Sequence, residues 1–367
     1  MRYYIIAGEA SGDLHGGNLI KALHKKDNTA DIRCWGGDKM EAAGATIVKH
    51  YRDLAFMGFV EVLANLRTIL RNIDFCKKDI LAYQPDVLVL VDYPGFNLRI
   101  AEWARQQGLK IVYYISPQVW AWKANRVKKI KRDVDKMLVI LPFETEYYKS
   151  KWDYDVTYVG HPLTEVIQYE KEQVHLQKLS DKPIIALLPG SRKQEIRVKL
   201  PIMLSMVERF PQYQFVVAQA PAQPDSLYKE LIGAKNVLIA NNQTYNLLKQ
   251  ATAALVTSGT ATLETALFGV PEVVCYKGNP LSFWLATKLV DVKYISLVNL
   301  VMDKEVIKEL IQDDFNETKL ESELRKILED GSNLQQMKRD YAALWDKLGT
   351  YSTSELAADE IIQLLRN

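Results

Sequence analysis

The sequence is poor in cysteine, almost without net charge and free of long hydrophobic runs. Only three cysteines occur in 367 residues, Cys34, Cys76 and Cys275. They are odd in number, far apart, and show neither C-x-x-C nor metal-ligand spacing, which excludes a disulfide scaffold and fits a reduced compartment. Forty-seven basic residues face 45 acidic ones, a net charge of +2, so no overall basic field marks a nucleic-acid partner and any basic surface must be local. No apolar run approaches the ~20 residues of a membrane-spanning helix. The N-terminus meets Glu9 and Asp13 too soon for the apolar core of an export signal, and a cytoplasmic location is the expectation. Low-complexity tracts and short-period repeats are also absent, which excludes collagen-like and disordered classes.

What remains is an ordinary globular composition, 48% hydrophobic and 25% charged, at a length that favours two domains. In the first half, short apolar runs at Tyr3–Ala7, Ile32–Trp35, Val87–Val91, Ile111–Ile115 and Met137–Leu141 alternate with amphipathic stretches at Asp13–Lys25, Phe59–Tyr83 and Leu98–Gln107. This is the pattern of parallel β-α units. The alternation breaks at Val159–Pro162 and a polar stretch, Gln168–Lys182, before resuming. Runs at Ile184–Leu188, Phe215–Ala218, Val237–Ala240, Ala253–Val256 and Glu272–Tyr276 predict a second parallel sheet. Beyond Glu305 the pattern is helical, including Glu305–Ile311, and predicts helices packed on the lobes rather than further strands. The fold class is therefore α/β, two Rossmann-like lobes at 1–162 and 163–340, with a helical tail at 341–367.

In such sheets ligands bind beyond the carboxyl ends of strands. After the first strand comes Gly8-Glu9-Ala10-Ser11-Gly12-Asp13, where glycines admit a close approach and helix N-H groups favour anions. A tight turn with Ser11 or Asp13 as helix cap explains it equally well. After Val87–Val91 stands Asp92-Tyr93-Pro94-Gly95-Phe96-Asn97, which offers either a general base raised by burial or a turn-forming aspartate in a Pro-Gly turn. In the second lobe, Pro189-Gly190-Ser191-Arg192 puts a guanidinium after a strand, suited to phosphate or to a surface ion pair. Ser258-Gly259-Thr260 opens a helix whose free N-H groups and hydroxyls suit a diphosphate, and Glu264 one turn on could accept the hydroxyls of a ribose.

Two further features concern surfaces. Phe59, Val60, Val62, Leu63, Leu66, Ile69 and Leu70 form one apolar helical face, core or lipid contact. Trp120 and Trp122 precede Lys123, Arg126, Lys128, Lys129, Lys131 and Arg132, a cluster suited to an anionic membrane or simply to solvent. Asp133-Val134-Asp135 has the form of a D-x-D metal motif but leads straight into an apolar strand, and no metal is assigned to it.

Taken in order, Gly8–Asp13, Asp92–Asn97, Ser116-Pro117-Gln118-Val119-Trp120-Ala121-Trp122, Leu187–Arg192 and Ser258–Glu264 resemble the lipid-A-disaccharide synthase family across nearly the whole chain. The resemblance implies a GT-B glycosyltransferase fold and no cofactor or metal. The implied reaction moves 2,3-diacylglucosamine from UDP-2,3-diacylglucosamine onto 2,3-diacylglucosamine 1-phosphate, forming a β-1,6 bond with inversion. It implies Asp92 and Arg192 as catalytic residues. Ser191, Ser258, Gly259, Thr260, Glu264 and Asn299 fall on the donor side, and Ser11, Gly12 and Asp13 on the acceptor side. The stripe from Phe59 to Leu70 becomes a contact with the phospholipid surface of the inner membrane, and the tail packs on the first lobe or on the partner of a homodimer. Many relatives carry Asp where this chain has Gly95 and Pro where it has Val298. Two other readings are a UDP-sugar 2-epimerase of similar fold, which needs no apolar acceptor face, and a bilobal solute-binding protein, which needs no general base.

Overall fold

The computed structural model describes residues 1–54, 66–173, 176–279, 283, 292–349 and 352–366. It divides into two compact units, residues 1–162 with 351–367, and residues 163–350.

The first unit is built on seven parallel strands: β1 (Arg2–Ala7), β2 (Asp31–Gly36), β3 (Thr46–His50), β4 (Val87–Val91), β5 (Lys110–Tyr114), β6 (Lys136–Val139) and β7 (Thr157–Tyr158). Their order is β3-β2-β1-β4-β5-β6-β7. Alternate side chains of the central strands feed opposite faces. Tyr3, Ile5, Val87 and Val89 enter one core, Tyr4, Ile6, Leu88 and Leu90 the other, and all are fully buried. The first core is closed by the helix Thr353–Arg366 through Ala357, Ala358, Ile361 and Ile362. Lys25–Glu355 at 3.0 Å, Lys26–Asp359 at 2.6 Å and Lys136–Glu360 tie that helix down at its polar edge.

The second unit has six parallel strands: β8 (Ile184–Leu188), β9 (Gln214–Gln219), β10 (Val237–Asn241), β11 (Ala251–Thr257), β12 (Glu272–Tyr276) and β13 (Lys308–Ile311), in the order β10-β9-β8-β11-β12-β13. Chain order reverses between β1 and β4 in the first sheet and between β8 and β11 in the second. Those are the switch points where a parallel sheet leaves a crevice.

Three sequence expectations are corrected. Glu305–Ile311 is not a helix: Lys308–Ile311 is the edge strand β13, paired with β12 from Val273↔Lys308 to Tyr276↔Ile311, so the region after Glu305 does extend a sheet. Its Lys-Glu-Leu-Ile sequence carries too few apolar residues to reveal a strand exposed on one side. The boundary at 340 falls inside the continuous helix Gly331–Leu348, which belongs to the second unit. Pro94 and Gly95 form no turn, but begin the helix Pro94–Gln106, with proline at its first position, where a missing N-H removes no hydrogen bond.

One buried group opposes the fold. Glu272, at the start of β12, is fully buried, and among the described residues nothing hydrogen-bonds either carboxyl oxygen. Burial pushes its pKa well up. The folded state thus holds a proton that the unfolded chain releases above its ordinary pKa of about 4.3, so stability falls as pH rises past that value and levels off above the raised one. Glu272→Met should raise stability near neutral pH by about 1–3 kcal/mol and flatten this dependence. Thermal melts of both proteins across pH check it, and an equal or lower melting temperature for the variant at neutral pH contradicts it.

Candidate active site

At the first switch point the backbone adopts an uncommon conformation. Asp92 and Tyr93, directly after β4, have φ of 44° and 49°, left-handed values that strain any non-glycine residue by about 1–3 kcal/mol each. Proline at 94 further disfavours a helical conformation at Tyr93. The strain is held by neighbours. The Asp92 N-H donates to the Tyr114 carbonyl at 3.0 Å, and the Asp92 carbonyl accepts from Tyr113 Oη at 2.6 Å and Asn97 Nδ2 at 2.7 Å. The Tyr93 ring lies where a Cβ on Gly8 would stand, 2.3 Å from its nearest atom, so only glycine fits there. Locked this way, the Asp92 carboxyl is half-buried, and its pKa is pushed up to about 6 by burial and by the negative charge of Glu9, against the backbone N-H of Tyr93. A base poised near neutral pH is the result.

The glycine-rich segment before it has a different role from the one its sequence suggests. The helix starts at Ala10 with Glu9 as cap residue and no side-chain cap, so neither Ser11 nor Asp13 caps it. Asp13 is 3% exposed, and its two oxygens accept from the Lys39 and Met40 N-H groups, each at 3.1 Å. It caps the short helix Asp38–Ala42. Gly12 packs against Ala7, 3.1 Å from a notional Cβ, which serves helix-on-sheet packing. Of the three, Ser11 alone is exposed beside Glu9.

At the second switch point a cleft of about 420 Å³ is lined by Gly190, Ser191, Arg192, Glu195, Gln219, Thr257, Ser258, Gly259, Thr260 and Glu264, among others. The two sequence segments singled out after β8 and β11 thus meet. Gly190 has φ of 112° and Gly259 φ of 145°, turns that L side chains rarely adopt. Gly259 precedes the helix Thr260–Phe268, and among the described residues no side chain caps that helix, which leaves N-terminal donors for an anion. The Arg192 guanidinium is largely exposed and only 3.6 Å from Glu195 Oε1, too long for a hydrogen bond and no obstacle to a ligand. Tyr245 Oη donates to Glu264 Oε1 at 2.8 Å. This fixes the carboxylate at the cleft wall, with its pKa raised by burial.

Two donor-side assignments change on this geometry. The Ser258 hydroxyl donates to the Ile295 carbonyl at 2.8 Å, so it can only accept from a ligand. Asn299 is fully buried and does not line the cleft. Its Nδ2 donates to Ile307 O and Glu309 Oε1, both at 2.9 Å, while Oδ1 accepts from the Val306 and Ile307 N-H groups. The amide is fully used. Glu309 also takes the Ile295 N-H at 3.0 Å and the Ser296 N-H at 2.9 Å. Asn299 therefore reaches the cleft only at a distance, through Glu309, the Ile295–Ser296 backbone and Ser258.

The surface features divide as well. Phe59, Val60, Val62 and Leu63, and the side chain of Leu66, lie outside the described residues. Ile69 packs against the core while Leu70 is 49% exposed, so adjacent members of the expected stripe face different ways. Trp122 is 47% exposed, with Lys123 Nζ 4.2 Å and Arg126 5.5 Å from its ring. Lys129 and Arg132 pair with Glu102, and Lys131 donates to the carbonyls of Trp152 and Asp153. Lys123, Arg126 and Lys128 remain as the basic patch. In Asp133-Val134-Asp135, Arg132 grips Asp133 bidentately, and Asp135 takes Arg105 and the Ile111 N-H.

Sequence reasoning missed Glu9, Tyr245 and Lys199. The last is a buried lysine whose Nζ donates to Thr257 Oγ1 at the cleft. Only its position two helical turns after Arg192 hinted at a shared location.

Comparison with known proteins bears on what the site does. The profile of the lipid-A-disaccharide synthetase family matches residues 3–361. Lipid-A-disaccharide synthases of Geobacter sulfurreducens and Syntrophus aciditrophicus are 36% and 38% identical, each covering 99% of this chain and 97% of the relative. Among solved structures, the UDP-GlcNAc 2-epimerase of Neisseria meningitidis bound to UDP-GlcNAc superposes with a TM-score of 0.69 at 13% identity, covering both chains completely. The glycosyltransferase of kitacinnamycin superposes with 0.68 at 14%, over 99% of each chain. At such identities the two structures establish the shared two-domain GT-B architecture. The sequence match goes further: from its third residue to its last helix, the chain belongs to the lipid-A-disaccharide synthetase family of glycosyltransferases.

Proposed function

We propose that the chain condenses UDP-2,3-diacylglucosamine with 2,3-diacylglucosamine 1-phosphate, releasing UDP and forming the β-1,6-linked disaccharide 1-phosphate with inversion. The observation that carries the chemistry is the half-buried Asp92 carboxyl, raised to about 6 on a strained, three-point-anchored backbone. Strain kept at a switch point and backed by specific partners supports a functional role. Asp92 takes the proton of the acceptor 6-hydroxyl as that oxygen attacks the anomeric carbon on the face opposite UDP.

Negative charge then grows on the departing diphosphate. In the second unit the Arg192 guanidinium and the uncapped N-terminus of Thr260–Phe268 suit that charge, and donors already in place strengthen as it develops. Glu264, oriented by Tyr245, suits the ribose hydroxyls. The epimerases among the structural neighbours share the fold at 11–13% identity, which carries no activity across.

Asp92→Asn should keep the fold, because asparagine tolerates the left-handed conformation better than most residues. Turnover should fall by about 10²–10⁴, the usual effect of losing a general base. UDP release from the donor with and without the acylated acceptor measures it. Near-normal turnover in a folded variant removes Asp92 from the role.

We further propose that the enzyme works at the cytoplasmic face of the inner membrane, its acylated substrates drawn from the lipid surface, with the Trp122, Lys123, Arg126 and Lys128 patch facing anionic headgroups. Lys123→Glu with Lys128→Glu exchanges two exposed charges and should leave the melting temperature unchanged. Affinity for phosphatidylglycerol-containing vesicles should fall, each lost cation weakening it by about 1 kcal/mol. Salt should weaken wild-type binding only in part. Unchanged vesicle affinity in the double variant places the patch elsewhere than at the membrane.

A further inference from the structure

A buried cation beneath the second unit's cleft is left unused by the mechanism so far. Lys199, in the helix Lys193–Leu204, is 3% exposed. Its Nζ donates to Thr257 Oγ1 and lies 5.6 Å from the centre of the Tyr276 ring. Thr257 is the last residue of β11 and lines the cleft beside Gly190 and Ser258.

The chemistry of the pair sets its direction. An ammonium donates three hydrogens and accepts none, so the Thr257 hydroxyl must be the acceptor, and its own proton turns away from Lys199. A hydroxyl polarised by a neighbouring cation is also a stronger donor. Among the described residues no protein group accepts that proton.

We propose that Lys199 is a positioning residue for the leaving group: it holds the Thr257 hydroxyl as a donor for a nucleoside diphosphate in the cleft and places a desolvated positive charge beneath that anion. This rests on the reading that the cleft takes the diphosphate of the donor. The charged and titratable neighbours are few. Glu195 and Arg192 face Lys199 from its own helix and the turn before it, Cys275 and Tyr276 from β12. Burial holds the ammonium pKa below the usual lysine range; Arg192 adds to this, and Glu195 and Cys275 oppose it. An incoming diphosphate reverses the shift, so binding draws a proton onto Lys199 at alkaline pH, where the phosphate oxygens are already deprotonated.

Calorimetric titration of the full chain with UDP at alkaline pH, in two buffers of different ionisation heat, reads affinity and proton uptake together. The wild type should bind with net proton uptake. Lys199→Met should bind about tenfold more weakly, the scale of a lost charge-assisted contact, and take up none. Lys199→Arg, always charged, should hold affinity within about threefold of wild type and also take up none. Thr257→Val should weaken binding, and adding Lys199→Met to it should cost much less than in the wild type. Wild-type affinity and uptake in Lys199→Met overturn the proposal. Should that variant not fold, persistent uptake in Lys199→Arg overturns it equally. Arg192→Ala is the control for the underlying reading. If UDP binds the wild type and Arg192→Ala weakens it while the Lys199 and Thr257 variants do not, the inference alone fails. If UDP does not bind, or Arg192→Ala leaves it untouched, the reading of the cleft fails with it.

Discussion

Two consecutive left-handed residues, Asp92 and Tyr93, are the constraint that much of the first unit serves. They cost a few kcal/mol of backbone strain and survive because three hydrogen bonds grip Asp92 and the Tyr93 ring fills the space left by Gly8. The donors come from β5, through Tyr113, and from the helix after the turn, through Asn97. The backbone that carries the carboxyl is therefore fixed by the sheet and by that helix. Its raised pKa follows from the same placement, next to apolar strand ends and to the charge of Glu9.

The second unit shows a different economy, in which polar groups are spent on holding donors still. Asn299, Glu309 and Ser296 form a closed network whose last contact reaches the Ser258 hydroxyl through Ile295. The turn at Ser258–Thr260 is thereby tied down at Ser258, and among the described residues no side chain takes the N-H groups of the helix that follows. Fixed donors need no reorganisation when charge appears on a leaving diphosphate, and this makes them effective in catalysis.

How much of this was legible in the sequence depended on what each residue answers to. The central strands β1, β4, β8 and β11 were plain because they are buried on both faces and read as continuous apolar runs. Of the four edge strands, β3, β7 and β13 were missed because their sequences are mixed, while β10 was found from its apolar Val-Leu-Ile-Ala run. Placing chemistry after strand ends located Asp92, Arg192 and the Ser258–Thr260 turn. Local reasoning failed where a motif residue answers to a distant partner. Asp13 looks like a helix cap or ligand group but caps a different helix, and Asn299 is consumed by backbone groups seven and eight residues on. Lys199 gave only the faint signal of its spacing from Arg192, since nothing local distinguishes a lysine buried beneath a cleft from one that points to water.

The central claim is that Asp92 acts as the base with the elevated pKa its surroundings impose. The most direct measurement is kcat/KM for UDP release from the donor and the acylated acceptor as a function of pH, which reports groups on the free enzyme. The account expects activity to fall on the acid side of a single ionisation near 6, the value to which Asp92 is raised, and Glu9→Gln to move that limb downward by removing a repelling charge. An acid limb at the ordinary aspartate value of about 3.9, or one unmoved by Glu9→Gln, would contradict it.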